Sequence, residues 1–279
     1  MSVNVSPSEL KAGLLPSLRA HGAVRLLARA VEGGTEAHEL AESGPLRLRF
    51  PRLADDMLEA ILINTAGGIA GGDRLDVMIE AGEGSRVAVT SQAAEKVYRS
   101  TGPAARISLR LAAGAGARVD WLPQETILFD RARVVRTLEA EVAADAQLTI
   151  CEAIVFGRTA MDERVRTGLW RDRWNIRRAG RLVFADALAL DGGIDGMLTR
   201  PAVARGALGV ATIVQVAPDA ETRVDALRAS FSGEGEAGAS AFDGMLVARL
   251  IAPDGFILRR ALLDALESIG CAPPHAYTL

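Results

Sequence analysis

Short runs in which apolar and polar residues alternate make up much of this chain. Residues 23–28 (AVRLLA), 46–50 (LRLRF), 86–90 (RVAVT), 106–111 (RISLRL) and 147–155 (QLTICEAIV) all repeat with a period near two. Successive side chains of an extended strand point to opposite faces, so this period predicts strands buried on one face only. Residues 58–63 (LEAILI) and 211–216 (ATIVQV) are more continuously apolar, which predicts strands covered on both faces. The run 131–142 (RARVVRTLEAEV) fits either a strand or a helix, and its alternation and its neighbours place it with the strands.

Turn residues separate these runs at close intervals, as at Gly67-Gly68, Gly71-Gly72-Asp73, Gly82-Glu83-Gly84 and Asp191-Gly192-Gly193. They supply backbone conformations that tight turns need. Many short strands with frequent turns predict a sandwich, a barrel or a solenoid rather than a βαβ repeat. Two segments keep a helical period instead. Residues 218–229 begin with Pro and Asp and place Val224, Leu227 and Arg228 on one side. Residues 256–269 space Leu258, Leu262, Leu266 and Ile269 three or four apart, with Gly270 at the expected helix stop. The polar, Gly-rich stretch 232–240 is read as a mobile loop. The domain expectation is a loose arm over 1–19, then one β-rich domain over 20–279 that includes the C-terminal helix.

Composition narrows the function classes. The net charge is −3, which removes the basic footprint of a nucleic-acid binder. Lys11 and Lys96 are the only lysines, so 30 of the 32 basic residues are arginine, a side chain suited to polar protein interfaces. Two cysteines, Cys151 and Cys271, make no secreted-type disulfide framework, and a reducing cytoplasm is expected. No signal peptide and no membrane-spanning run is read from the chain.

Motifs for bond chemistry are lacking. Gly233, Gly235 and Gly238 match GxGxxG, but a helical segment precedes them and Glu234 and Glu236 would repel a phosphate. There is no GxxxxGK[ST] and no GxSxG. His21, His38 and His275 are scattered, without the local ligand pairs of a zinc site. Cys151 reads as a buried strand residue, with a weak metal contact as the minor alternative. Cys271 and His275 are assigned to solvent or an interface. A carboxylate-pair hydrolase stays open because acidic residues are plentiful and no pair stands out.

Three blocks carry a resemblance: residues 64–76 (NTAGGIAGGDRLD), 90–102 (TSQAAEKVYRSTG) and 121–130 (WLPQETILFD). In order and spacing they resemble the urease accessory protein UreD (UreH) family. Glu152 in CEAIVFGR, Gly157-Arg158 and the run 181–192 (RLVFADALALDG) are also similar, and the likeness extends from about residue 20 to the C-terminal helix. Thr65-Ala66 stand where the family usually shows two prolines.

The resemblance implies a mostly β, elongated, irregular β-helix or solenoid with about two short helices. It implies a non-enzymatic scaffold that joins the accessory protein UreF and the GTPase UreG on apo-urease. It further implies Ni²⁺ in transit through an internal tunnel, with no permanently bound cofactor. Read physically beside this, Gly67, Gly68, Gly71, Gly72 and Asp73 form a structural turn. Lys96, Tyr98 and Arg99 are either a solvated strand face or a partner interface. If a tunnel exists, Glu125, Asp130 and Glu152 are candidates for its wall, because an ion in transit needs weak oxygen ligands. The rival readings are the carboxylate hydrolase and a simple nickel carrier.

Overall fold

A computed structural model describes residues 19–51 and 56–278. All of the expected N-terminal arm except Arg19 lies outside the described residues.

The chain winds back and forth between two sheets. The first holds β1 (His21–Val31), β2 (Gly34–Ser43), β5 (Arg74–Ala81), β8 (Ala105–Ala113), β11 (Arg133–Val142), β13 (Gly168–Arg178) and β14 (Arg181–Gly192), in the order β14-β13-β11-β8-β5-β1-β2. The second holds β3 (Leu46–Arg49), β4 (Leu58–Asn64), β6 (Arg86–Ser91), β9 (Arg118–Trp121), β12 (Gln147–Phe156), β15 (Gly209–Val216), β16 (Glu236–Phe242) and β17 (Met245–Ala252), in the order β16-β17-β15-β12-β9-β6-β4-β3. Two three-residue strands, β7 (Glu95–Val97) and β10 (Thr126–Leu128), pair with each other, and β10 also pairs with β12.

Neighbours β1, β5, β8, β11 and β13 are parallel, as are β4, β6, β9 and β12. Each circuit from one sheet to the other and back adds one strand to each, which makes a β-solenoid of about four turns. Antiparallel partners end the stack: β2 and β3 at one end, and β14, β15, β17 and β16 at the other.

Period-two alternation sets the core. Val24, Leu26 and Ala28 on β1 and Val77, Ile79 and Ala81 on β5 face Val87 and Val89 on β6 and Leu148 and Ile150 on β12. The opposite face of the second sheet carries Cys151, Ala153, Ala211, Ile213, Leu246 and Leu250, which pack under helices. β15 is buried on both faces, as its near-continuous apolar run predicts, and β12 is too, which corrects the expectation of one buried face for residues 147–155: the helices cover Cys151 and Ala153.

Among the described residues there are four helices: α1 (Ile194–Leu198), α2 (Val224–Ser230), α3 (Gly255–Ser268) and α4 (His275–Thr278). The two predicted helices are α2, which follows a 3₁₀ turn at Ala220–Arg223, and α3. The Asp254 side chain caps α3 by accepting from the Ile257 amide at 2.8 Å. Gly270, at φ +71°, ends it, with the Cys271 amide reaching back to the Leu266 carbonyl at 2.9 Å.

Two further expectations are corrected. Residues 236–242 form edge strand β16, because their backbone pairs with β17 although most of their side chains are small and exposed. Cys271 is fully buried, because the turn after α3 folds it inward against Asp120 and Thr149.

Candidate functional site

Three charged residues interrupt the apolar space between the sheets. On β11 the inward phase runs Val134, Arg136, Leu138, Ala140; on β13 it runs Trp170, Asp172, Trp174, Ile176; on β12 it runs Ile150, Glu152, Ile154, Phe156. In the parallel register of β11 and β13, Arg136 stands directly beside Asp172. All three charged side chains are buried.

Arg136 joins them. Its Nε and Nη2 donate to Asp172 at 3.0 and 2.5 Å, and its Nη1 donates to Glu152 at 2.5 Å. The other Glu152 oxygen accepts from Trp121 Nε1 at 2.8 Å. The guanidinium also lies 5.3 Å from the Trp170 ring centre and 5.9 Å from that of Trp174. Burial alone would favour a neutral Arg136, but Asp172 and Glu152 outweigh it and hold the side chain protonated.

Two cavities meet at this cluster. One, of about 330 Å³, runs from the exposed Gln92, Ala93 and Lys96 down to Trp170, Arg136 and Glu152. The other, of about 170 Å³, runs from Arg136, Glu152 and Asp172 to Val203 and Arg249 at the surface. There Arg249 pairs with Asp186 of β14 at 2.7 Å. Glu95 lines the first cavity and accepts from Asn64 Nδ2 at 3.1 Å, and burial raises its pKa.

Of the acidic residues singled out in the sequence, Glu152 lies at the junction of the two cavities. Glu125 is turned away from both and receives Arg259 Nη1 of α3 at 3.0 and 3.1 Å. Asp130 also lines neither and accepts the backbone amides of Arg166 and Thr167 at 2.8 and 3.1 Å. Arg136 and Asp172 were not among the expected residues. Their signal is a charge in the apolar phase of a strand, between Val134 and Leu138 in one case and between two tryptophans in the other.

The glycine turn packs against the mouth of the first cavity. Asp73 accepts from the amides of Ala20 (2.9 Å) and Ala70 (2.7 Å), which fixes the turn's shape. Tyr98 lies over the turn, donates to the Gly67 carbonyl at 2.8 Å, and meets Phe129 edge-on at 5.2 Å. Gly68 has φ +151°, and a Cβ there would sit 2.3 Å from the Tyr98 ring. Lys96, Tyr98 and Arg99 are all exposed.

Cys151 points from β12 towards the helices, away from Glu152. Burial first, and then the nearby Glu152 carboxylate, push its thiol pKa up, which disfavours the free thiolate. Among the described residues no three His, Cys, Asp or Glu side chains gather to hold a metal ion. No helix among them is long and apolar enough to cross a membrane.

These features define a β-solenoid protein with an ion-paired septum in its interior. The family model for the UreD urease accessory protein matches residues 20–275. "Urease accessory protein UreD 3" of Bradyrhizobium sp. strain BTAi1 is 50% identical over 271 residues, covering 97% of this chain and 96% of the relative. "Urease accessory protein UreD" of Methylobacterium sp. strain 4-46 is 52% identical over 262 residues, covering 91% and 93%. The chain belongs to the UreD family, and its role lies in urease maturation.

Proposed function

We propose that this protein is a cytoplasmic, non-catalytic scaffold that holds UreF and the GTPase UreG on apo-urease, and that Ni²⁺ reaches urease by passing between its two sheets. The observation that carries the proposal is the meeting of two surface-reaching cavities at Glu152 and Arg136, inside a mostly apolar core. A buried charge costs free energy unless paired, so a chain that keeps three of them there has a use for them or has compensated them well. Glu152 offers an oxygen ligand of the weak kind that suits transit rather than storage. Lys96, at the mouth of the larger cavity, and its exposed neighbours Tyr98 and Arg99 are proposed as part of a partner surface. Glu125 and Asp130 support the fold around the passage through their bonds to α3 and to the 166–167 backbone.

The test is co-purification with UreF and UreG, followed by urease activation with nickel and GTP. Activation is expected only when this chain is present, and equal activation without it would overturn the proposal. A nickel carrier would instead bind the ion in isolation and lose it in Cys151→Ala.

A further inference from the structure

Arg136 does not hold its two carboxylates alike. It makes a paired contact with Asp172 through Nε and Nη2, but a single contact with Glu152 through Nη1. Arg136 and Glu152 line both cavities, whereas Asp172 lines only the second. The Arg136–Glu152 contact is therefore the wall that the two cavities share.

We propose that this contact is a gate: a divalent cation moves from the first cavity to the second by replacing Arg136 Nη1 on the Glu152 carboxylate, while the guanidinium stays on Asp172. The inference rests on the passage proposed above.

Charge favours this exchange over full release of the arginine. Closed, the cluster of one guanidinium and two carboxylates carries a formal charge of about −1. Open, Arg136 and Asp172 remain a neutral fork-to-fork pair, and Glu152 alone bears the negative charge. Trp170 and Trp174 stay within cation–π range of the guanidinium during a small rotation, so Arg136 never stands alone in the core. A dication is drawn to the freed carboxylate about twice as strongly as a monovalent ion at the same distance, which lets it compete with the guanidinium where sodium or potassium does not. A second observation points to a polar visitor. Trp170 lines the first cavity, and its buried indole N–H has no hydrogen-bond partner among the described residues. Buried donors of this kind take water, and a partly hydrated ion brings it.

The test is calorimetric titration of Ni²⁺ into the purified full chain. The double variant Arg136→Leu/Asp172→Asn removes one charge of each sign and leaves Glu152 uncovered. It is expected to bind Ni²⁺ at least about tenfold tighter than wild type, because a site open for only a small fraction of the time shows an affinity reduced by that fraction. Adding Glu152→Gln to the double variant removes the gain. Equal affinity of wild type and a folded double variant would overturn the gate. Should the double variant not fold by circular dichroism, Arg136→Lys serves: an ammonium cannot span both carboxylates, so a gain of about threefold is expected, and no gain overturns the proposal. Glu152→Gln in the urease activation assay separates the two readings. Wild-type activation would remove the passage itself. Impaired activation, with no affinity gain in the double variant or in Arg136→Lys, would remove the gate alone.

Discussion

Arg136 shows what one side chain does in this fold. Truncating it leaves Glu152 and Asp172 buried and facing each other without a counter-charge. Arg136→Ala is therefore expected to lower the unfolding free energy by about 3–5 kcal/mol, read from urea denaturation. A change under about 1 kcal/mol would mean that water already reaches the pair. Glu95 gives the opposite sign. Its pKa is raised in the folded state, so the folded chain holds that proton more tightly than the unfolded chain. Its favourable contribution is complete below the ordinary carboxylate range and is lost as the pH rises through its folded value. Glu95→Gln, which keeps an oxygen for the Asn64 amide, is thus expected to be more stable than wild type at pH 7. The advantage should vanish below about pH 4, where both chains are neutral at this position. Equal urea midpoints at pH 7 would refute the assignment.

At the scale of elements, the helix that closes the outer face of the second sheet stands on a cap and an apolar stripe. Asp254→Ala removes the bond to the Ile257 amide and is expected to cost about 1 kcal/mol. Leu262→Ala opens a hole in the fully buried layer of α3 and is expected to cost about 2–5 kcal/mol, with both values read by thermal or urea unfolding. Equal effects of the two changes would contradict this division of labour. Elements whose burial is one-sided were legible in the sequence, because alternation writes the buried face directly, as in β1, β3, β8 and β11; the runs in β6 and β12 are also strands, but the second buried face of each was not legible, because the cover comes from elements distant in sequence. β4 and β15 were legible from continuous apolarity, and α3 from its 3.6-residue period and Gly270. β2 and β16 were not, because most of their side chains are exposed and their order comes from backbone pairing to a neighbour that the local pattern does not name. The site was half legible. Glu152 came from its motif, but the sequence alone does not say that Arg136 and Asp172 are adjacent in register, since parallel pairing joins residues 36 apart. Glu125 sits in the most recognisable motif, yet its partner Arg259 is 134 residues away on α3.

At the scale of the whole molecule, the solenoid explains how a passage can exist without a barrel. Two sheets joined coil by coil keep a layer of side chains between them along the stack, and that layer is mostly apolar, with the buried Arg136, Glu152 and Asp172 where β11, β12 and β13 meet. The two cavities reach the surface at different ends, one beside the glycine turn and the other where the antiparallel strands β14, β15 and β17 end the stack. Partners docked at those ends would be joined through the interior rather than around it. The most direct measurement is urease activation by Glu152→Gln, with assembly of the complex followed by pull-down. The side chain keeps its size and its acceptor for Trp121, so the complex should form as in wild type while nickel-dependent activation falls well below it. An assembled complex that activates urease at the wild-type rate would contradict passage between the sheets.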